Sequence, residues 1–340
     1  MIGIPRRDRM VSRGAFAGVL ALLGGTAGSA CAQGGTPSAT AAGYPNRPIR
    51  LVAPFPPGGS SDLIARVLGQ KLGEGLPQPV IVDNRPGAGS NLGTQIAARA
   101  APDGHTLLIT SVTNAINATL FRDPGYDLLR DFAPISRVAI GPTALVVHPS
   151  VQATSVTDLV RLARTQPGRL NFGSGGNGTP SHISGVMFAH MAKVEITHVP
   201  YKGTGQSVND LLAGNIQLIF ASMPVVVQHI KTGRLRALAV TGAQRTPLAP
   251  ELPTVAESGI PGYAFESWWA LVTNAGVPAG VLRRLNAETR RALDSAEVRA
   301  RFAEMGLESL PGTAAELDAF TRAEIERLGR IVRETRMRAE

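Results

Sequence analysis

Four short segments of this 340-residue chain bring glycines and hydroxyl side chains together. They are Pro54-Phe55-Pro56-Pro57-Gly58-Gly59-Ser60-Ser61, Thr110-Ser111-Val112-Thr113-Asn114, Gly173-Ser174-Gly175-Gly176-Asn177-Gly178-Thr179-Pro180 and Lys202-Gly203-Thr204-Gly205. Glycine lets a backbone come close to a ligand, and the first N–H groups of a helix have no partner within it. A segment that ends a strand and opens a helix therefore presents donors, with the positive end of the helix dipole, to an anion. Taken singly, each segment also reads as the sharp turn that a strand-to-helix connection needs. The stretch Gly173 to Gly178 goes further, because four glycines in six residues exceed what a turn requires. No segment ends in Gly-Lys-Ser/Thr or has the dinucleotide glycine spacing followed by a suitably placed acid, so nucleotide binding is poorly supported.

Catalytic and metal chemistry lack a pattern. The six histidines, His105, His148, His182, His190, His198 and His229, include no i, i+4 pair and no His-Glu-x-x-His run. Ser174 stands in Gly-Ser-Gly without a surrounding Gly-x-Ser-x-Gly elbow. Asp62 and Asp210 are expected in helix first turns, where a carboxylate suits the dipole with no further role, and Lys202 reads as solvated. His182 opens a helix beside the glycine-rich stretch; lining a cleft and filling an ordinary first turn both fit it. No nucleophile, base and orienting group come together, and neither a metal nor a cofactor is expected.

The elements that would position these segments alternate. Ile49 to Ala53 is a β-type run, and a helix begins near Asp62 with Leu63, Ile64, Val67, Leu68 and Leu72 on one face. Leu170-Asn171-Phe172 ends a second run, followed by a helix near Ser181 carrying Ile183, Val186, Met187 and His190. A third unit leads from His198-Val199-Pro200-Tyr201 into a helix from about Gln206, with Val208, Leu211 and Leu212 before Gly214. His105 to Ile109 reads as a further strand. Alternation of this kind predicts α/β sheets with parallel strands, whose ligands collect beyond the carboxyl ends of those strands. Pro278 is expected in the first turn of a later helix, and Thr313 with Glu316 forms a capping box for the last.

Composition narrows the function classes. The net charge is +9, but the basic residues are scattered and the few aromatics do not interleave with them, which argues against nucleic acid. Arg6, Arg7, Arg9 and Arg13 precede an apolar stretch, Gly14 to Gly25, too short to span a bilayer. Ala30-Cys31-Ala32 fits a signal-peptide cleavage rule that leaves Gln33 first. Lipidation of Cys31 and twin-arginine export through Arg6-Arg7 are rival readings. Residues 1–32 are thus expected to be a signal peptide and 33–43 a flexible tether. Cys31 is the only cysteine, so the mature chain holds no disulfide.

Ordered blocks along the chain carry a family resemblance. They are Tyr-Pro-Asn-Arg-Pro-Ile-Arg-Leu-Val from Tyr44, Pro-Phe-Pro-Pro-Gly-Gly-Ser-Ser-Asp from Pro54, Val-Asp-Asn-Arg-Pro-Gly-Ala-Gly-Ser from Val82 and Pro-Asp-Gly-His-Thr-Leu-Leu from Pro102. Asp-Phe-Ala-Pro-Ile from Asp131, the block Asn171 to His182, Val-Pro-Tyr-Lys-Gly from Val199 and Leu-Pro-Thr-Val-Ala-Glu-Ser-Gly from Leu252 complete the series. From Tyr44 to the final helix the chain resembles the tripartite tricarboxylate transporter substrate-binding receptors, the Bug family.

The resemblance implies a periplasmic, two-lobed, type II-like Venus-flytrap, each lobe a mostly parallel sheet flanked by helices. Residues 44–143 plus 267–340 would form one lobe and 144–266 the other, with crossings near Gly141 to Val147 and Ala264 to Val272. It implies a monomeric receptor that captures a small organic carboxylate and presents it to a membrane permease; a sensor input is the alternative, and a carboxylate-processing enzyme lacks a candidate group. Carboxylates are expected to be held by backbone amides, hydroxyls and water. Phe55, Gly58, Gly59, Ser60 and Ser111 are expected on the first wall, and Ser174, Gly178, Thr179, His182, Tyr201 and Gly203 on the second. Ser222 begins another cleft loop. Family members often carry aspartate where Ala221 stands, which leans this chain towards plain carboxylates over amino acids.

Overall fold

The computed structural model describes residues 43–247 and 249–339. The expected export segment and Cys31 lie outside the described residues. Chain order in the first half is β1 (Ile49–Ala53), α1 (Ser60–Gly75), β2 (Val80–Asn84), α2 (Asn91–Ala98), β3 (Thr106–Ser111), α3 (Val112–Leu120) and the long β4 (Phe132–Val147). The middle runs α4 (Val156–Thr165), β5 (Asn171–Ser174), α5 (Pro180–Ala192), β6 (Thr197–Pro200), α6 (Thr204–Leu212), β7 (Leu218–Ser222), α7 (Met223–Lys231) and β8 (Arg236–Val240). The chain ends with β9 (Glu266–Asn274), α8 (Ala279–Asp294), α9 (Ala296–Glu304), β10 (Glu308–Ser309) and α10 (Ala314–Glu334). Among the described residues no helix is long and apolar enough to cross a membrane.

The strands lie in the order β2-β1-β3-β9-β4-β7-β5-β6, with β8 and β10 also on β4. Two parallel three-strand cores, β2-β1-β3 and β6-β5-β7, are linked by antiparallel strands. β4 belongs to both parts: Phe132 to Pro142 pair with β9, whereas Thr143 to Val147 pair with β7 and β8. The result is a mixed α/β sheet in two portions. Ile49, Leu51, Val52 and Ala53 are all buried because helices cover both faces of a parallel core.

A threonine cluster stitches the place where β4 changes partners. The Thr241 hydroxyl oxygen lies 2.7 Å from Thr143 Oγ1 and 2.7 Å from the Phe265 carbonyl oxygen, and the Thr143 N–H donates to it at 2.9 Å. α10 then packs on this region, where Trp268 stacks edge-on to Phe320 at 5.2 Å and donates Nε1–H to Glu324 at 2.9 Å. The capping box forms as expected: the Glu316 N–H donates to Thr313 Oγ1 and the Thr313 N–H to Glu316. Pro278 is the N-cap of α8 and not a first-turn residue.

Three helices start one or two residues earlier than hydrophobic periodicity indicates. α1 opens at Ser60, α5 at Pro180 and α6 at Thr204, so Gly59, Thr179 and Gly203 become their N-caps. The polar first turns carry no apolar signal, and that shift draws the glycine segments into the helix ends.

Candidate functional site

Five helices point their N-termini at one cavity of about 390 Å³, a volume typical of small-molecule sites. Their N-cap residues, Gly59 of α1, Ser111 of α3, Thr179 of α5, Gly203 of α6 and Ser222 of α7, all line it. Each cap sits at or just beyond the carboxyl end of a strand, which places the cavity between the two sheet portions. Among the described residues no charged side chain lines it. First-turn N–H groups without helical acceptors and the positive dipole ends supply the polarity instead.

Hydroxyls complete the lining. Among the described residues Ser111 Oγ and Thr113 Oγ1 are buried without a hydrogen-bond partner, Ser111 facing the Asn114 N–H as half of a capping box. Trp269 stands opposite Ser111 in the β3–β9 register and fixes its indole by donating Nε1–H to Ser61 Oγ at 3.1 Å. Phe55, Pro56, Pro57 and Pro180 add apolar surface. Buried donors and hydroxyls without protein partners, among apolar walls and with no counter-charge, suit a small anion with an organic body.

Of the expected site residues, Phe55, Gly59, Ser60, Ser111, Thr179, Gly203 and Ser222 line this cavity. Gly58, Ser174, Gly178, His182 and Tyr201 do not; each is engaged elsewhere. The Gly58 N–H donates to Asp62 at 2.8 Å, and φ of +80° makes it the turn residue. Burial opposes ionisation of Asp62, but hydrogen bonds from Arg66 and Gly58 outweigh it and hold the carboxyl below its usual range. Ser174 is fully buried, with Oγ 2.7 Å from His198 Nε2 and accepting the Gly176 N–H. The Gly178 N–H donates to His182 Nδ1 at 3.3 Å. The His182 ring lies flat on His198 at 4.0 Å, and Phe172 stacks on the far side at 4.9 Å. Tyr201 donates its hydroxyl to Asp210 at 2.6 Å; burial and that bond push the phenol up to about 12.

The Ser174–His198 contact has the distance of a nucleophile–base pair but not the chemistry. Burial pushes His198 down to about 4, and burial with its neighbour His198 pushes His182 down to about 3, so both rings are neutral at pH 7 and weak bases. Among the described residues no carboxylate bonds to His198, and Ser174 does not reach the cavity. Among the described residues no group of three His, Cys, Asp or Glu side chains could hold a metal.

Sequence reasoning missed Gln206, Asn209 and Trp269, which also line the cavity. The first two are exposed polar residues three apart on α6, a spacing that places them on one face. That spacing was the available signal, but a solvated face gives the same one. A wider depression of about 790 Å³ lies where β4, β9 and β10 meet. Its arginines are paired, Arg245 with Glu257 and Arg299 with Asp294, and no helix N-cap lines it.

Comparison with known proteins is consistent with this geometry. The family model described as the tripartite tricarboxylate transporter family receptor matches residues 64–337. Protein BugT of Bordetella pertussis (strain Tohama I) is 37% identical over 294 residues, covering 86% of this chain and 90% of BugT. R. palustris Rpa4515, solved with adipate, superimposes with a TM-score of 0.84 at 34% identity, covering 87% of this chain and 99% of that one. MatC from Rhodopseudomonas palustris, with bound malate, gives 0.81 at 28% identity, covering 85% and 100%. The matched family is thus one of receptors, not of enzymes.

Proposed function

We propose that this chain, which belongs to the tripartite tricarboxylate transporter receptor family, is an exported periplasmic receptor that captures a small organic carboxylate and presents it to a membrane permease. One observation carries the ligand class: five helix N-caps converge on a cavity without a charged side chain. A carboxylate accepts several N–H and O–H donors at once, and such charge-assisted bonds are the strong ones. A cationic or zwitterionic ligand would need an acid, and none lines the cavity; Ala221 is fully buried in the core. The relatives with adipate and malate support the same class.

The two sheet portions act as lobes, 44–143 plus 267–340 and 144–266. Support comes from β4, which exchanges β9 for β7 and β8 between Pro142 and Thr143, and from β9, which starts at Glu266. Ligand would favour closure through contacts that exist only when the lobes meet.

The test is a thermal-shift titration of refolded mature protein with adipate, malate, citrate, benzoate and glutamate. A ligand at one hundred times its Kd stabilises by about 2.7 kcal/mol, which for a chain of this size is roughly 4 °C. A saturable rise with one or more carboxylates is expected. No rise with any of them would refute the carboxylate reading.

A further inference from the structure

Three glycines let the two sheet portions touch beside the cavity, and two of them do not line it. A Cβ placed on Gly89 would lie 2.6 Å from the Asn177 carbonyl oxygen, and one on Gly203 would lie 2.9 Å from the Pro56 ring. A Cβ on Gly178 would collide with Asn117 Oδ1 and come within 3.2 Å of Leu120. Gly89, Asn117, Leu120 and Pro56 belong to the portion built on β1–β3, whereas Asn177, Gly178 and Gly203 belong to the portion built on β5–β7. Every one of these contacts therefore crosses the cleft.

The Gly89 segment is held in an unusual shape. Ala88, Gly89 and Ser90 have φ of +48°, +60° and +81°, a left-handed run in which two residues carry side chains that disfavour it. Such backbone persists only where its surroundings impose it, and it clusters at functional clamps. Here Asn117 and Thr94 impose it. Asn117 Nδ2 donates to the Gly89 carbonyl at 2.8 Å, and Thr94 Oγ1 donates to the Ser90 carbonyl at 3.0 Å. Asn117 is fully buried, a second Nδ2 bond ties it to Asn91 at 2.8 Å, and its Oδ1 has no hydrogen-bond partner as it faces Gly178.

We infer that Gly89 and Gly178, with Asn117 between them, form a closure latch: positioning residues that let the lobes meet around the ligand without touching it. The inference rests on the receptor reading above. The left-handed turn presents a bare Cα to the Asn177 carbonyl, and Asn117 fixes that turn while meeting the bare Cα of Gly178. Any side chain on either glycine holds the lobes apart at this rim. Affinity then falls, because the binding-competent closed form is less populated.

The test compares Gly89→Ala with Gly168→Ala. Gly168 has φ of +72° and nothing within 4 Å of its Cβ position, so that variant measures the cost of alanine in left-handed backbone alone. The probe is whichever of adipate, malate, citrate or benzoate stabilises the wild type most. Both variants should melt somewhat earlier than wild type without ligand. Only Gly89→Ala should bind the probe about tenfold or more weakly, and small-angle scattering at saturation should show it more extended than wild type. Gly178→Ala should repeat the pattern from the other lobe. Wild-type affinity and wild-type dimensions in Gly89→Ala, or an equal loss of affinity in Gly168→Ala, would overturn the latch while leaving the receptor reading intact. If no carboxylate stabilises the wild type, the receptor reading fails first and the latch falls with it.

Discussion

Removing the Ser111 hydroxyl should weaken binding while leaving the empty protein nearly as stable as before. Ser111 ends β3 and caps α3, and its Oγ is buried at the cavity wall with no partner in the protein. The cap is held instead by the Ser111 N–H, which donates to Asn114 Oδ1 at 3.0 Å and survives Ser111→Ala. Loss of a capping hydroxyl ordinarily costs about 0.5–2 kcal/mol; Ser111 and Asn114 are placed as a capping box, but Ser111 Oγ falls short of a hydrogen bond with the Asn114 N–H, so the cost should lie at the low end of that range. The unfolding free energy in urea should therefore stay within about 0.5 kcal/mol of wild type, the usual spread for a substitution that breaks no contact.

Binding is a different matter. A hydroxyl donating to a carboxylate contributes about 1.5–3 kcal/mol, so Ser111→Ala should raise Kd by roughly 10- to 150-fold. Thr113→Val removes the second unpartnered hydroxyl at nearly constant volume and should act in the same direction. The two sites are adjacent, so their effects need not add. Calorimetric titration with the carboxylate that stabilises wild type most gives Kd, and urea unfolding gives the empty protein's stability. A Ser111→Ala protein that binds as wild type would refute the claim that this cap reads the anion. Loss of stability with unchanged Kd would make the hydroxyl a packing group.

Two further outcomes follow from the surroundings of the tryptophans and the stacked histidines. Trp269 lines the cavity and Trp268 is packed on Phe320 and Glu324, so the emission change on adding carboxylate should persist in Trp268→Phe and vanish in Trp269→Phe; the reverse would misplace the ligand. His182 and His198 are held at about 3 and about 4, below the ~6.5 of an unfolded chain. As pH falls below about 6.5 the unfolded chain takes up protons that the fold refuses, so stability declines by up to about 1.4 kcal/mol per pH unit for each ring. Above that window the pair contributes no pH dependence. Urea unfolding between pH 7.5 and 5, where carboxylates scarcely titrate, should show this slope, and His182→Gln should flatten it; an equal slope in the variant would mean the ring is not buried neutral.

How far the site could be read from sequence depends on what each signal encodes. Apolar runs such as Ile49 to Ala53 followed by glycines predict where a parallel strand stops and a helix starts, and those positions hold because burial on both faces leaves the strand little freedom. They do not encode which way a loop side chain turns. Ser222 and Ser174 both end a strand, yet Ser222 directly caps α7 and lines the cavity, while Ser174 precedes five residues of loop before α5 opens. That extra backbone carries Thr179 to the cavity and leaves Ser174 behind it, against His198. His198 stood in a strand far from His182 in sequence, and only the parallel pairing of β5 with β6 brings their rings together. The glycines were legible as close approaches, but a sequence cannot say to what: Gly59 approaches the cavity, Gly178 the opposite sheet portion, and Gly203 both. On the receptor reading proposed above, a glycine-rich loop in this fold answers two constraints at once, exposing N–H groups to an anion and admitting the neighbouring sheet portion. Substitution separates them: Thr113→Val should change affinity through a lost donor in a protein that still closes, and Gly178→Ala should change it through closure with every donor in place.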